Sequence, residues 1–366
     1  MNSVLQEDLK EIVNSNIIDW KNLKDKSIFI TGATGLIGSI LVKALLIKNK
    51  KENLNVKLFL LVRNEEEASK LFQNEGNIHY IISSVENYEP QDLKIDYIIH
   101  GASPTKSKFF IEKPVETMDI SIIGTKKILE QAKKSNVKSM VYLSSMEMYG
   151  TMKSEDVKET DLGYINQLEV RSSYSEGKRV SELYCYSYFS EYDVPIKIAR
   201  IAQTFGAGIS KRENRVYKIF ADAIINGEDI VLKSTGSTII NFSYTTDTII
   251  GILTILLNGK NGEAYNLVAD KTNMTILESA KWLVKEFKNG KSKVVIDIPK
   301  ENAGFAPDNK MILNNDKIKS IGWKPKHTLK DGYNRLIKYM LEEKMNDKWY
   351  WKGIIWIIEI AIKKIL

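Results

Sequence analysis

Tyr174 and Lys178, four residues apart, are the pair in this sequence best suited to acid–base chemistry. Residues i and i+4 of a helix share one face, so the phenol and the ammonium can point into one site. A nearby cation favours the phenolate and lowers the pKa of the tyrosine. The spacing therefore predicts a general base that works near neutral pH.

The segment 142–150 is a second candidate, because Ser144 and Ser145 end an apolar run that is typical of a strand. In open α/β sheets, ligands bind at the carboxyl ends of the strands. A serine hydroxyl at such a position can hydrogen-bond a substrate oxygen that gains or loses a proton.

A glycine-rich turn at 31–38 follows the apolar run 27–30 and precedes an amphipathic segment. This order is typical of strand, tight turn and helix, and it presents backbone N–H groups at a helix N-terminus, where an anion is favoured. Glycines also let the backbone approach a pyrophosphate closely. The turn therefore predicts a dinucleotide cofactor. Its predicted contacts are Gly32, Thr34, Gly35, Leu36, Ile37 and Gly38.

The elements that must position these residues alternate between strand and helix. The apolar, strand-like runs are 56–62, 78–82, 97–100, 139–144 and 196–201. Helical patterns lie between them, as at 124–135 and 175–192, and an amphipathic helix at 3–22 leads in. The alternation predicts an α/β fold with a Rossmann-type, doubly wound parallel sheet.

The pattern changes after about residue 200, where loops rich in Gly, Asn and Lys separate shorter elements. We therefore expect a smaller C-terminal α/β substrate lobe, with a helix at about 328–343. The predicted organisation is a helical lead-in at 1–26, a dinucleotide-binding domain at 27–200, a substrate-binding lobe at 201–343 that partly returns to the first domain, and an amphipathic tail at 344–366.

The bulk composition excludes several classes of protein. The 366 residues are 43% hydrophobic, which is normal for a globular protein and argues against disorder. The net charge of +7 is modest and gives no reason to expect a nucleic-acid partner. Cys185 is the single cysteine, and three scattered histidines cannot complete a metal cluster with it, so no metal is expected. The first residues carry no long apolar run, so we expect no signal peptide and a cytoplasmic protein.

The tail differs from the rest of the chain. Residues 354–366 are mostly apolar but too few to span a bilayer, which needs about 20 residues. Trp, Tyr and Lys flank them at 348–353, which fits a helix lying on a membrane surface. Two interpretations stay open: peripheral contact of 348–366 with the inner face of the membrane, or a helix docked on its own domain or on a dimer partner.

Taken together, these motifs resemble the extended short-chain dehydrogenase/reductases, and among them the NAD-dependent nucleotide-sugar epimerase/dehydratase group. The resemblance runs from about residue 26 to about 340. Besides the glycine turn, the serine strand end and the Tyr–Lys pair, it rests on the segments 96–103, 124–125, 199–200, 205–206, 244–247, 264–267 and 322–325.

The resemblance implies a redox cycle at the sugar ring. Tyr174 would remove the proton of the sugar 4-hydroxyl while hydride leaves C4 for the nicotinamide, and Ser145 would hydrogen-bond the same oxygen. Lys178 would bind the nicotinamide ribose and hold down the pKa of Tyr174, and Ala102 and Ser103 would contact the cofactor. The 4-ketone then makes C5–H acidic, which opens elimination, decarboxylation or epimerisation.

The pair Met146-Glu147 separates these outcomes. Related 4,6-dehydratases carry Asp-Glu here, in which the Asp protonates the departing 6-hydroxyl and the Glu takes the C5 proton. Sugar-nucleotide decarboxylases keep the Glu without that Asp, and simple 4-epimerases usually have neither. Glu147, the fourth expected catalytic residue, therefore favours chemistry beyond plain epimerisation, while Met146, expected to contact substrate, disfavours an ordinary dehydratase.

Two positions on the cofactor side depart from the family pattern. Arg63 stands where NAD enzymes of this group usually carry an acid for the ribose 2′-hydroxyl. An arginine can accept a 2′-phosphate, so NADP is an alternative to NAD, unless Arg63 only stacks on the adenine. Ser84 replaces an acid that typically contacts the adenine.

A third departure lies on the substrate side, where Ile240 replaces an arginine that grips the substrate diphosphate. Arg212, Arg215 or Lys218 could take over, and Arg215 is the best candidate. Otherwise the substrate is not an ordinary nucleotide diphosphate sugar.

The resemblance therefore implies an NAD(P)-dependent epimerase/dehydratase-type enzyme that oxidises C4 of a nucleotide-activated sugar for surface polysaccharide precursors. The alternatives are a nucleotide-sugar decarboxylase, an NADPH-dependent 4-keto-sugar reductase and, from another class, a non-catalytic NAD(P)-sensing protein. The family also suggests a homodimer formed through a four-helix bundle that includes the Tyr174–Lys178 helix.

Overall fold

Seven parallel strands form the central sheet of the computed structural model, which describes residues 1–72, 76–152, 154–270, 272–287, 292–298 and 309–346. Numbered along the chain, they are β1 Ser27–Thr31, β2 Lys57–Val62, β3 Ile78–Ile82, β4 Tyr97–His100, β5 Ser139–Ser145, β6 Ile196–Ile201 and β11 Ala264–Leu267. Their order across the sheet is β3-β2-β1-β4-β5-β6-β11. The chain crosses over between β3 and β4, so the predicted doubly wound sheet is confirmed.

Helices flank this sheet and its neighbouring lobe. They are α1 Ser3–Val13, α2 Leu36–Glu52, α3 Glu65–Phe72, α4 Ser107–Glu112, α5 Pro114–Lys134, α6 Ser172–Tyr192, α7 Val216–Asn226, α8 Thr245–Asn258, α9 Ile276–Glu286, α10 Asp316–Ser320 and α11 at 329–346. Every residue of β1, β4 and β6 is buried, as expected for strands covered on both faces.

Several helices differ from the expected bounds. The helix expected at 124–135 begins ten residues earlier, at Pro114, because a proline at the first helical position starts a helix well. The lead-in helix expected at 3–22 ends at Val13, and a separate 3₁₀ turn covers Trp20–Leu23. The helix expected at about 328–343 extends to residue 346.

Short strand pairs build the second lobe: β7 Gln203–Phe205 with β10 Phe242–Tyr244, β8 Ile230–Leu232 with β13 Val294–Ile296, and β9 Ile239–Ile240 with β12 Met274–Thr275. An aromatic cluster fills its core, in which the rings of Phe205 and Tyr333 have centroids 5.1 Å apart. Strand β11 lies in the central sheet beside β6, so this part of the 201–343 region packs with the first domain.

Helix α1 is fastened to the second lobe by buried polar contacts. The carboxylate of Asp8 accepts a hydrogen bond from the Tyr244 hydroxyl at 2.7 Å and pairs with the Arg335 guanidinium at 2.6 Å. Nearby, Nε2 of His327 lies 2.9 Å from the Glu11 carboxylate. These contacts connect α1 to the end of β10, to the loop before α11 and to α11 itself.

Within the described ranges, no helix is both long enough and apolar enough to cross a bilayer. The predicted membrane-contacting segment, 348–366, lies outside the described residues.

Candidate active site

The glycine turn lies between β1 and α2, and two of its glycines are required by close packing. Gly32 has φ +70°, and a Cβ there would meet the backbone of Gly101 at 2.7 Å. A Cβ on Gly38 would lie 2.2 Å from the carbonyl oxygen of Gly32. Any larger residue would therefore push the helix away from the turn.

The first turn of α2 is free to hold an anion. The helix begins at Leu36, and its N-cap residue, Gly35, makes no side-chain capping bond. The first backbone N–H groups of a helix, among them those of Leu36 and Ile37, lack intrahelical partners and favour a negative charge. Thr34 is exposed beside them. These residues fit the pyrophosphate of a dinucleotide.

A buried histidine connects this turn to β4 and α5. The Thr31 hydroxyl oxygen accepts the backbone N–H groups at 101–102, so its own proton goes to Nδ1 of His100, 2.7 Å away. Nε2 of His100 then donates to the Thr125 hydroxyl, which donates to the backbone carbonyl of Ser121. Burial lowers the pKa of His100 to about 3, so the ring is neutral. Sequence analysis did not find this relay, which holds Ala102 beside the turn.

The predicted adenosine contacts lie at the ends of β2 and β3. Arg63 follows β2 and is exposed, and Glu65, Glu66 and Glu67 form the first turn of α3 directly after it. Ser84 is half-buried, and its hydroxyl accepts a hydrogen bond from the Asn87 amide. Ser103 lies beyond β4, next to Ala102, with its hydroxyl bonded to the carbonyl of Pro104.

Tyr174, Ser145 and Lys178 meet at the carboxyl end of β5. Ser145 is the last residue of that strand, and its side chain lies close enough to Tyr174 on α6 to lower the pKa of the phenol. The Lys178 ammonium, one helical turn further on, donates to the carbonyl of Leu143 at 2.9 Å and lies 5.8 Å from the centre of the Tyr174 ring. The structure thus brings together the three residues that sequence analysis selected.

The expected electrostatics of Tyr174 are wrong. The pKa of the phenol was expected to be lowered by Lys178, but it lies well above its ordinary value. Burial is the largest cause, and the negative charge of Glu147 raises the pKa further. The hydrogen bond with Ser145 and the charges of Arg215 and Arg171 act in the opposite direction.

Lys178 itself is strongly affected by burial, which lowers its pKa to about 8. The nearby carboxylate of Glu182, on the next turn of α6, opposes this shift. Glu182 is in turn paired with Arg200 at 2.7 Å and accepts a short hydrogen bond from Ser144. This buried group fastens the helix that carries Tyr174 to strands β5 and β6.

Glu147 lies one residue beyond Met146 in a 3₁₀ turn that covers Met146–Tyr149. Its carboxylate pairs with the guanidinium of Arg171 at 3.0 Å. The side chain of Met146 packs against a small apolar cluster that contains Tyr149, and it cannot transfer a proton.

Arg215 is the N-cap residue of α7 in the second lobe and pairs with Glu213 at 2.6 Å. Its charge acts on Tyr174, so it lies within electrostatic reach of the phenol. Arg212 is exposed, and Lys218 pairs with Asp222 at 2.6 Å.

Sequence analysis missed two neighbours of Tyr174. The ring of Phe110, on α4, stacks on the Tyr174 ring with centroids 4.2 Å apart and an interplanar angle of 5°. Arg171 precedes Tyr174 by three residues, a helical spacing that could have indicated it. Phe110 lies on α4, far from Tyr174 in the sequence, so no local spacing could have found it.

A parallel sheet with a glycine turn at its first strand and a Ser–Tyr–Lys group beside it defines a dinucleotide-dependent enzyme of the α/β class. The chain matches the family model of the NAD dependent epimerase/dehydratase family over residues 28–267. It therefore belongs to that family, and the expectation of an NAD-dependent enzyme of the nucleotide-sugar epimerase/dehydratase type is confirmed.

Individual relatives carry different reactions. UDP-glucuronic acid decarboxylase 1 of Danio rerio is 28% identical over 323 residues, 87% of this chain and 73% of that protein. UDP-glucuronic acid decarboxylase 3 of Arabidopsis thaliana is 30% identical, with 83% and 86% covered. The crystal structure of a UDP-glucose 4-epimerase from Thermotoga maritima superimposes with a TM-score of 0.73 at 21% identity, covering 87% of this chain and 99% of that one. The last of these supports the fold alone.

Proposed function

We propose that this chain oxidises C4 of a nucleotide-activated sugar to a transient 4-ketone. The observation that carries the proposal is the meeting of Tyr174, Ser145 and Lys178 at the carboxyl end of β5, the same edge of the parallel sheet at which the glycine turn follows β1. NAD, when bound, accepts the hydride from C4 and later returns it. Because the site needs no net oxidant in this cycle, the cofactor acts catalytically.

The chain's own residues handle the proton and the orientation. Tyr174 in its phenolate form takes the proton of the 4-hydroxyl; burial opposes this form, and Ser145, Arg215 and Arg171 favour it. Ser145 also hydrogen-bonds the 4-oxygen, which becomes the ketone oxygen. Lys178 holds the nicotinamide ribose, and Gly32, Gly38 and the first turn of α2 hold the pyrophosphate.

The fate of the ketone depends on residues 146 and 147. Departure of a 6-hydroxyl requires an acid, and Met146 offers no proton, so ordinary dehydration is disfavoured. The negative charge of Glu147 acts on Tyr174, so Glu147 offers a carboxylate near the phenol that can exchange a proton with the sugar. We place proton transfer at C5 first among the reactions that follow oxidation.

Decarboxylation is the second candidate, and the two decarboxylase relatives favour it. A carboxylate on C5 is β to the 4-ketone, so carbon dioxide can leave when the bond between C5 and the carboxyl carbon breaks. The electrons of that bond stay on the sugar and form an enolate whose charge rests on the ketone oxygen. The enolate is then protonated at C5. Arg215 is the candidate to bind an anionic group of the substrate.

We propose NAD as the preferred cofactor over NADP. Arg63 alone would accept a 2′-phosphate, but the three carboxylates of Glu65, Glu66 and Glu67 follow it immediately and repel a dianion. Extraction of the purified protein should yield NAD. An empty protein that consumes NADPH would instead identify a 4-keto-sugar reductase.

The function is tested by incubation with UDP-, dTDP-, GDP- and CDP-sugars, read by mass and by NMR couplings. Unchanged mass with altered couplings indicates epimerisation, and loss of carbon dioxide indicates decarboxylation. Loss of water indicates dehydration, and a gain of two hydrogens indicates reduction. No turnover with any sugar, together with tight NAD binding, would favour a non-catalytic NAD-sensing protein.

We also propose a homodimer. Helices α5 and α6 pack against each other, and their outer faces expose apolar side chains. Leu183 is 65% exposed and Tyr186 is 53% exposed on α6, and Val115, Met118 and Ile123 are exposed on α5. A second copy packed against this face would form a four-helix bundle and remove these side chains from water.

Contact of residues 348–366 with the inner face of the membrane is a proposal from the sequence alone. Trp, Tyr and Lys flank a short apolar run there. A chain that ends at residue 346 should no longer sediment with anionic lipid vesicles but should keep its turnover. Loss of turnover as well would favour docking of the tail on the protein itself.

A further inference from the structure

Glu147 and Arg171 form an ion pair at the rim of the proposed catalytic site. Glu147 lies in the turn after β5, and Arg171 is the residue before α6, so the pair joins the two elements that carry Ser145 and Tyr174. Nη1 of Arg171 lies 3.0 Å from Oε2 of Glu147. The side chains are 19% and 35% exposed, so water screens the pair only in part.

The carboxylate of Glu147 is held at one oxygen only. Oε2 faces Arg171, and the backbone N–H of Glu147 is held by the Ser145 hydroxyl at 3.2 Å. Within the part of the chain that the structure describes, Oε1 has no hydrogen-bond partner. One oxygen is therefore anchored while the other stays available to a ligand.

The pair also lies beside the reacting phenol. Glu147 and Arg171 both act electrostatically on Tyr174, and they do so in opposite directions. The Arg171 guanidinium lies 6.0 Å from the centre of the Phe110 ring, which stacks on the Tyr174 ring. Ser145 and Arg215 also act on this phenol, and Lys178 lies beside its ring.

We infer that Arg171 positions Glu147 to remove the proton from C5 of the 4-keto sugar. In this step the C5–H bond breaks, the proton goes to Oε1 of Glu147, and the electron pair forms an enolate whose charge rests on the C4 oxygen. Return of the proton to C5 reverses the electron flow. Arg171 touches neither the sugar nor the cofactor, and its effect on the C5 proton is exerted through Glu147 alone.

The inference rests on the proposed C4 oxidation, and the test measures the two steps separately. The probe is whichever nucleotide sugar of the UDP-, dTDP-, GDP- and CDP-sugar panel the wild-type enzyme oxidises at C4. Hydride transfer from C4 is followed in single turnovers, and deuterium uptake at C5 is followed by NMR in D₂O. If no sugar of the panel is oxidised, the proposed function fails and this inference with it.

Arg171→Met should lower deuterium uptake at C5 about 100-fold, as expected for loss of a positioned base, while C4 hydride transfer stays within roughly tenfold. The retained hydride step shows that the variant is folded. Arg171→Lys should recover most of the exchange, because a single contact to one oxygen can be made by an ammonium. Lys233→Met, which breaks an exposed ion pair with Asp297 in the second lobe, is the control and should change neither step.

Equal loss of both steps in Arg171→Met would show a merely structural role and overturn the inference. So would unchanged C5 exchange, or an Arg171→Lys variant as poor as Arg171→Met. Combining Arg171→Met with Glu147→Gln should add little to either single loss, since both remove the same function.

Discussion

At the scale of single residues, Tyr174 is governed by a competition between burial and charge. Burial and Glu147 raise its pKa, and Ser145, Arg215 and Arg171 lower it. The pH at which the phenol works as a base therefore depends on neighbours that can be changed one at a time.

Glu147→Gln should move the pH profile of C4 oxidation to lower pH, because it removes a negative charge that raises the pKa of Tyr174. Ser145→Ala should move the profile to higher pH, because it removes a hydrogen bond that lowers that pKa. The measurement is single-turnover hydride transfer as a function of pH. Shifts of both variants in the same direction would contradict this account of the site.

A second prediction concerns Lys197, a buried residue of β6 far from the chemistry. Its ammonium donates to the Ser139 hydroxyl at 2.7 Å, and burial lowers its pKa to about 8. The unfolded chain binds this proton more tightly, so the cost to stability is fully present below pH 8 and disappears as the pH rises past 10.5.

Lys197→Met should therefore raise the free energy of unfolding at pH 7 by roughly 2 kcal/mol, after allowance for the lost hydrogen bond. The gain should shrink towards pH 10. Urea unfolding at several pH values measures it, and a destabilised variant or a gain that does not depend on pH would contradict the prediction.

Site residues that lie at a regular spacing within one helix or at a strand end could be predicted from the sequence. Contacts between segments that are far apart in the sequence could not. Tyr174 and Lys178 follow from helical spacing, and Ser145 follows from its place at a strand end. Phe110 is far from Tyr174 in the sequence, and only the folding of the chain brings the two rings into contact. The raised pKa of Tyr174 depends on the burial of its side chain. Neither has a signature in the neighbouring residues.

At the scale of elements, the strands were easier to predict than the helices. The runs at 97–100 and 196–201 match β4 and β6, which are buried along their whole length, and the run at 78–82 matches the partly exposed edge strand β3. The first ten residues of α5 mix polar and apolar types, so their helical pattern is weak. Helix α1 was expected, but its attachment to the second lobe was not.

Asp8 is the residue that should fasten α1. Asp8→Ala leaves the buried hydroxyl of Tyr244 and the guanidinium of Arg335 without their shared partner and should lower the free energy of unfolding by about 3 kcal/mol. Glu7→Ala removes an exposed carboxylate 3.6 Å from the same guanidinium and should cost about 0.5 kcal/mol. Denaturant titration compares the two, and equal effects would contradict the proposed anchor.

At the scale of the whole molecule, the family fold and the parallel central sheet follow from the alternation of strand and helix patterns in the sequence. The assembly of two chains depends instead on side chains that the fold leaves exposed.

The wild-type chain should sediment as a dimer. Leu183→Glu combined with Tyr186→Glu places charges in the proposed interface and should give monomers. Ile219→Glu, at an exposed apolar position on α7, is the matched control and should stay dimeric. A monomeric wild type, or dimers in all three, would contradict the α5–α6 interface.

The central claim is that the Tyr174 phenol removes the proton of a sugar hydroxyl as hydride leaves the same carbon. Single-turnover hydride transfer from C4 of the nucleotide sugar measures it most directly, in the wild type, in Tyr174→Phe and in Tyr192→Phe, a tyrosine at the other end of the same helix. We expect Tyr174→Phe to be slower by at least about 100-fold and Tyr192→Phe to match the wild type. Hydride transfer at the wild-type rate in Tyr174→Phe would contradict the account.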